Sequence, residues 1–471
     1  MPNTRFQPES GSPCVLPLLD GKRVAVWGYG REGRAALGYL RRQLPQQPLT
    51  VLCNAAEAQE IEALADAYVS CRTQIDAGAL EAFDVVVKSP GISPYKPEAM
   101  AAMARGTRFI GGTALWFAAH PDERTICVTG TKGKSTVSSL IAHLLRTAGR
   151  KTALVGNIGL PLLETMAWQQ HPEFWVIELS SYQTSEAHRP EVAVMLNFYP
   201  EHLDWHVTEQ AYFDDKSALI THSRPQHAVL NRDAPRVAAL ADGLESDVCW
   251  FNDEAGWHAR GNMLYRAGTP VLDLRELPMP GQHNAGNVCA ALTAIEALGL
   301  DALALATSAR TFQPLPHRLQ EIGEHGGIRY VNDSISTTPY ASIAALECFT
   351  HEPVAILIGG YDRGLDWEAF VEYVSIKPPK AIISMGQNGP RIAERLRELS
   401  EPGFTLIEAV DLTEAVKAAE TELSSGGVVL LSPGAPSFGA YADYVARGRH
   451  FAELAGFDPN TISKIPGLGF S

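Results

Sequence analysis

Apolar residues recur in short β-branched runs, each followed by a stretch with one apolar face, and this pattern predicts alternating strands and helices. The first run is Arg23–Trp27, followed by a glycine turn, a helix through Leu40 and a second strand over Leu49–Cys53. An apolar run at Asp84–Val87 closes in the turn Ser89-Pro-Gly-Ile-Ser93. After a polar break at His120-Pro-Asp-Glu123, a strand from Thr125 enters a glycine turn and then an amphipathic helix through Leu145. Phe174–Leu179 and Val192–Leu196 read as buried strands, and Ala285–Leu298 as an alanine-rich helix. Beyond Leu315 the predicted strands are Ile328–Val331, Val354–Ile358, Ala381–Ser384 and Val428–Leu431, with helical patterns such as Arg391–Leu399 between them. Strands alternating with helices need crossover connections, so the expected fold is α/β with mostly parallel sheets. Breaks near residues 119 and 315 divide the chain into three domains in series, 1–118, 119–314 and 315–471.

Length agrees, since 471 residues exceed one hydrophobic core. With 45% hydrophobic and 20% charged residues the composition is that of a soluble globular protein, and no fixed-period repeat is visible. No apolar run reaches the roughly 18 residues of a membrane span, and the N-terminus lacks the basic start and apolar core of a signal peptide. Seven scattered cysteines without a C-x-x-C pair predict reduced thiols and a cytoplasmic setting. A formal charge of −14 argues against a nucleic-acid surface while leaving room for a local phosphate pocket. A monomer acting on small molecules is the expectation.

The chemistry is densest at Gly130-Thr131-Lys132-Gly133-Lys134-Ser135-Thr136. Strand, glycine turn and helix N-terminus together direct backbone N–H groups and the positive end of a helix dipole into one cavity. Lys134 would meet the β- and γ-phosphates, and the Ser135 hydroxyl a magnesium ion. The loop is two residues shorter than the usual G-x-x-x-x-G-K-[ST]. Glu178 ends an apolar run and His202 follows another, which puts both at carboxyl strand ends, where open α/β sheets bind ligands. Gly28-Tyr-Gly30-Arg-Glu-Gly33 follows the first strand, in the position of a Rossmann-like dinucleotide turn. The acid that would bind an NAD ribose is missing from Leu49–Asn54, which favours another nucleotide or a pyrophosphate.

In order along the chain, Gly130–Thr136, Asn157-Ile-Gly159, Glu178-Leu-Ser-Ser-Tyr-Gln183, His202-Leu-Asp204, Gly281-Gln-His-Asn284-Ala-Gly-Asn287, His317-Arg318, Asn332-Asp333-Ser334 and Leu431–Ser437 resemble the motifs of the Mur ligases. These are ATP-dependent amino-acid-adding enzymes of peptidoglycan precursor synthesis, and the MurD type is the most similar. The resemblance implies a Rossmann-like first domain for the uridine diphosphate moiety, with Gly28, Gly30 and Gly91 beside it and Asn157 and His202 toward the sugar. It implies ATP at Gly130–Thr136, Asn284, Asn287, Arg318 and Asp333, the last two after closure of a Rossmann-like third domain. Mg²⁺ would fall to Ser135, Glu178, His202 and a carbamylated Lys216, and catalysis to Lys134, Glu178, His202 and Lys216. The implied reaction activates UDP-N-acetylmuramoyl-L-alanine as an acyl phosphate, which the amine of glutamate attacks.

The sequence departs from the MurD pattern where glutamate should sit. Asn-Asp-Ser-Lys-Ala-Thr is replaced by Asn332-Asp333-Ser334-Ile335-Ser336-Thr337, and Arg363 stands where lysine is usual. Thr337, Arg363, Ser437 and Tyr444 remain as expected glutamate contacts. Since guanidinium and ammonium bind carboxylates differently, these changes resemble a variant group that adds L-glutamate. Its product would need a separate epimerase before an ordinary peptidoglycan pathway. The alternatives are an ordinary D-glutamate ligase, a folylpolyglutamate synthase-like ligase, which lacks the first domain, and a non-catalytic nucleotide-binding protein.

Overall fold

A computed structural model describes residues 19–199, 201, 203–279, 281–400, 402–424 and 426–470. The chain forms two compact units. One comprises the described residues up to Leu274 with Ala285–Arg310 and the residues from Gly467, and the other Arg275–Asn284 with Thr311–Pro466.

The first unit holds two sheets. Strands β1 (Val24–Trp27), β2 (Leu49–Leu52), β3 (Val69–Arg72), β4 (Val85–Lys88) and β5 (Arg108–Ile110) form a parallel sheet in the order β3-β2-β1-β4-β5. The strand order reverses at β1, and the glycine turn leading to helix α1 (Arg31–Gln43) leaves from there, the switch point at which such sheets bind ligands. The second sheet contains β6 (Thr125–Thr129), β7 (Thr152–Gly156), β8 (Phe174–Glu178), β9 (Val192–Met195), β10 (His227–Asn231), β11 (Asp247–Phe251), β12 (Trp257–Arg260), β13 (Met263–Arg266) and β14 (Thr269–Asp273). Its order is β14-β13-β12-β11-β10-β9-β6-β8-β7, so β6 lies between β8 and β9, parallel to both. Helix Gly112–Ala119 is apolar almost throughout and correspondingly buried, with Trp116 at 0% exposure, and belongs to an apolar cluster reaching from β1 to β10.

Two features were not expected from the periodicity. β12, β13 and β14 are antiparallel, and the two-residue turn Gly261-Asn262 was the readable signal for the first hairpin. Gly469–Phe470, which the sequence reading carries with the third domain, pairs antiparallel with Leu154 and Ala153 of β7.

In the second unit β15 (Gln320–His325), β16 (Ile328–Asn332), β17 (Val354–Ile358), β18 (Ala381–Ser384), β19 (Thr405–Glu408) and β20 (Gly427–Leu431) take the order β15-β16-β20-β17-β18-β19. Among the described residues of this sheet only the β15–β16 pair is antiparallel. The carboxyl ends of β16, β20 and β17 are therefore adjacent, and they lead into Asp333-Ser334, Ser432–Ser437 and Gly359-Gly360.

Candidate functional site

The turn after β6 enters helix α2 (Lys134–Thr147), whose N-cap Gly133 has φ +85° and supplies no side-chain cap. The helix thus begins without a side-chain cap from Gly133, and a helix N-terminus after a glycine turn is where phosphate is favoured. Gly133 is required twice over, by its left-handed φ and because a Cβ there would come 2.5 Å from Asn287 Oδ1. That approach places Asn287 against the loop. Residues outside the motif hold the loop open. Asn197 Oδ1 accepts from Lys132 N (2.8 Å) and its Nδ2 donates to Lys132 O (3.0 Å). Thr131 Oγ1 donates to Tyr199 O (3.1 Å) and lies 2.9 Å from Tyr212 OH. Lys132 pairs with Glu201, and Lys134 Nζ donates to Thr131 O (2.9 Å). Ser135 is buried and Thr136 half-buried beside it.

Glu178, 1% exposed, stands at the end of β8 next to β6. Asn157 Nδ2 donates to its Oε1 (2.9 Å), whereas Oε2 is buried without a hydrogen-bond partner. An unsatisfied buried carboxylate oxygen is costly unless a cation completes it. Helix α3 (Glu209–Thr221) brings Lys216, 2% exposed, to the phosphate loop, where Nζ donates to Gly130 O (3.1 Å). Burial, then the charge of Lys134, lowers the Lys216 pKa well below the usual lysine range. The uncharged amine so favoured is the form that can add CO₂. Among the described residues no three His, Cys, Asp or Glu side chains cluster as a metal site. The donors nevertheless suit a hard cation: a hydroxyl, a carboxylate with a free oxygen and, were Lys216 carbamylated, a second anion would hold it. His202 lies outside the described residues.

Between β1 and α1, Gly28 has φ +89° and Gly30 caps α1 without a side-chain bond. A Cβ on Gly33 would strike Gly28 O at 1.9 Å, so this third glycine sets the tightness of the turn. Gly91 is exposed in the neighbouring loop after β4. Glu32, in the first turn of α1, has its carboxyl pKa pushed up to about 7 by burial first and then by Glu186 and Glu164, against Arg31. From about pH 4.5 to 7 the folded chain holds a proton that the unfolded chain releases, so this contribution to stability declines as pH rises and stays lost above. Glu32→Gln is expected to raise the melting temperature at pH 8, by up to about 3 kcal/mol of stability, and to change it little at pH 4. Thermal melts across that range check this, and an equal shift at both pH values would contradict it.

In the second unit, His317 (φ +60°) and Leu319 (φ +43°) flank Arg318 in a left-handed turn. Asp333 accepts from Ser432 Oγ (2.8 Å), Ser336 Oγ and Leu319 N (3.2 Å), and burial pushes its pKa up to about 6. Asn284 is buried near the start of helix Gln282–Ala297. Of the expected glutamate contacts, Thr337 is exposed, Ser437 is buried, and Arg363 is exposed with its guanidinium 5.6 Å from the Phe438 ring centre. Tyr444 begins helix α4 (Tyr444–Leu454) and meets His317 edge-on. One residue was missed. Arg447, 2% exposed, donates from Nε to Ser334 Oγ (3.1 Å) and from Nη2 to Ser334 O (2.8 Å) and Ala435 O (3.0 Å). It fastens the loops after β16 and β20, and no local pattern distinguishes it from an ordinary helix arginine.

The chain matches the Mur ligase MurD-like N-terminal domain over residues 22–111, the Mur ligase middle domain over 128–295 and the Mur ligase glutamate ligase domain over 317–434. A UDP-N-acetylmuramoyl-L-alanine--L-glutamate ligase of Xanthomonas campestris pv. campestris (strain 8004) is 59% identical over an alignment of 465 residues that covers 96% of this chain and 99% of that protein. A protein of the same name from Xylella fastidiosa (strain 9a5c) is 57% identical, over 97% of this chain and 100% of its own length. Among solved structures, a UDP-N-acetylmuramate-alanine ligase of Thermotoga maritima aligns with a TM-score of 0.58 at 18% identity, covering 92% of this chain and 99% of that one, a likeness of fold alone.

Proposed function

This chain belongs to the Mur ligase family, of the MurD type, and from that premise we propose that it joins L-glutamate to UDP-N-acetylmuramoyl-L-alanine at the expense of ATP. The observation that carries the reading is the placement of buried Lys216 against Gly130 O of the phosphate loop, beside a strand that ends in Glu178 with a free carboxylate oxygen. A plain nucleotide-binding protein has no need of a desolvated amine there. In this reading residues 1–118 take the UDP moiety, 119–314 ATP and 315–471 glutamate. The MurD-like match over 22–111 favours it over a folylpolyglutamate synthase-like ligase, which lacks that domain.

Lys134 and the α2 amides would neutralise the transferring phosphoryl group, so that the substrate carboxylate becomes an acyl phosphate. Ser135, Glu178, His202 and carbamylated Lys216 would hold magnesium, which supplies charge neutralisation on the phosphates. Arg318, Asp333, Asn284 and Asn287 are assigned to ATP, and Thr337, Arg363, Ser437 and Tyr444 to glutamate. The glutamate amine then displaces phosphate through a tetrahedral intermediate. The protein's share is positioning and electrostatics.

Two facts favour the L enantiomer. The similar Xanthomonas and Xylella proteins carry that name, and the departures at Ile335, Ser336 and Arg363 fall in the segment that should bind the carboxylates. Inverting the α-carbon with the amine held in place must redirect a carboxylate, and a misplacement of about 1 Å can cost a hundredfold in rate. A ligation assay offering each enantiomer separately is expected to show L-glutamate preferred by about that factor. Equal or faster turnover of D-glutamate would return the chain to ordinary MurD activity. With L-glutamate as substrate, an epimerase acting on the product must follow.

A further inference from the structure

A buried polar chain that the proposed chemistry leaves unused runs alongside Lys216. His206 is 0% exposed, with Nδ1 2.9 Å from Asp215 Oδ2 and Nε2 2.9 Å from Ser181 Oγ. A carboxylate oxygen can only accept, so Nδ1 donates to Asp215 and the ring is held at both ends. The same Asp215 oxygen accepts from Tyr95 OH (2.8 Å), and Asp215 O accepts from Thr184 Oγ1 (2.6 Å). Tyr95 belongs to the loop after β4, which carries Gly91. That loop is tied to the residue before His206 twice more: Ser93 Oγ donates to Trp205 O, and Trp205 Nε1 donates to Pro90 O (3.1 Å). Trp205 in turn stacks on Tyr182 at 4.4 Å.

Three segments thus converge on Asp215 of α3: the loop after β8, the loop after β4, and the short helix Leu203–His206. Asp215 and Lys216 are consecutive on α3, about 100° apart around its axis, so fixing the direction of one fixes the other. We propose that His206 is a positioning residue that, through Asp215, holds α3 at the rotation presenting Lys216 to the phosphate loop, and that Tyr95 links this rotation to the loop assigned to the UDP substrate. The inference rests on the ligase reading, in which Lys216 is carbamylated. In that step the lone pair of the neutral amine forms an N–C bond to CO₂, a C=O pair moves onto oxygen, and one proton leaves nitrogen for solvent.

The test uses the full chain equilibrated with ¹³C-bicarbonate. The carbamate signal is followed by NMR, together with kcat and KM for UDP-N-acetylmuramoyl-L-alanine. His206→Phe keeps a planar aromatic ring at the site and removes both hydrogen bonds; it is expected to lose most of the carbamate signal and about ten- to a hundredfold in kcat, with KM changed less. His206→Asn, whose amide can still donate to Asp215, should recover most of both. Tyr95→Phe should raise KM several-fold more than it lowers kcat. A folded His206→Phe with full carbamate signal and unchanged kcat overturns the proposal, as does an Asn variant damaged as badly as the Phe one. If His206→Phe does not fold, Tyr95→Phe, which loses a single hydroxyl, decides, and unchanged KM and carbamate signal there also overturn it. Wild-type chain that shows neither carbamate nor ligation defeats the ligase reading, a result separate from any variant.

Discussion

Lys216→Ala is expected to lower ligation by about a hundred- to a thousandfold, the scale on which removal of a fixed electrostatic group slows transition-state formation. The side chain is 2% exposed and faces Gly130 O and the Tyr212 ring, so truncation leaves a cavity beside the phosphate loop rather than a solvated gap. In the proposed reading what would be lost is the carbamate anion, formed from the neutral amine that burial and Lys134 favour. Acetate or propionate should therefore enter the cavity and restore part of the rate, whereas ethylamine should not. Rescue by the amine alone would show that Lys216 works as an ammonium. Undiminished activity in Lys216→Ala would make it a packing residue.

Lys134→Ala should be at least as damaging, on the order of a thousandfold in ligation, because phosphoryl transfer depends on charge placed around the moving group. Its ammonium donates to Thr131 O within the loop, already poised at the N-terminus of α2. Binding of UDP-N-acetylmuramoyl-L-alanine, measured by calorimetry without ATP, should survive, since the Gly28–Gly33 turn lies on the other sheet of this unit. A matching loss of that affinity would mean that the loop serves the wrong ligand in this account. Removing Lys134 also removes the second cause of the low Lys216 pKa, so carbamate formation in this variant should shift toward higher pH.

Local pattern carried most of the architecture. β9, β17 and β20 are aliphatic runs, and β6, β8 and β18 apolar runs with a polar residue at an end, that could be read singly because a strand covered on both faces is mostly apolar. The phosphate loop was legible for a related reason: left-handed and close-packed backbone admits glycine, so Gly130 and Gly133 mark the turn without knowledge of what surrounds it. Where local pattern was weak the reading failed. The short strands β12 to β14 mix polar and apolar residues, so of their hairpins only the turn Gly261-Asn262 leaves a mark in the local pattern.

By itself the sequence determined the α/β class and the glycine turn between β6 and α2, because these depend on residues a few positions apart. Only the tertiary structure decided which groups meet. It gave Glu178 one oxygen bound by Asn157 and one left bare, desolvated Lys216 against Gly130, joined Ser181, His206 and Asp215 across three segments, and buried Arg447 beneath two loops. Such pairings depend on strand order and on burial, and periodicity along the chain records which face of an element is covered without recording what covers it.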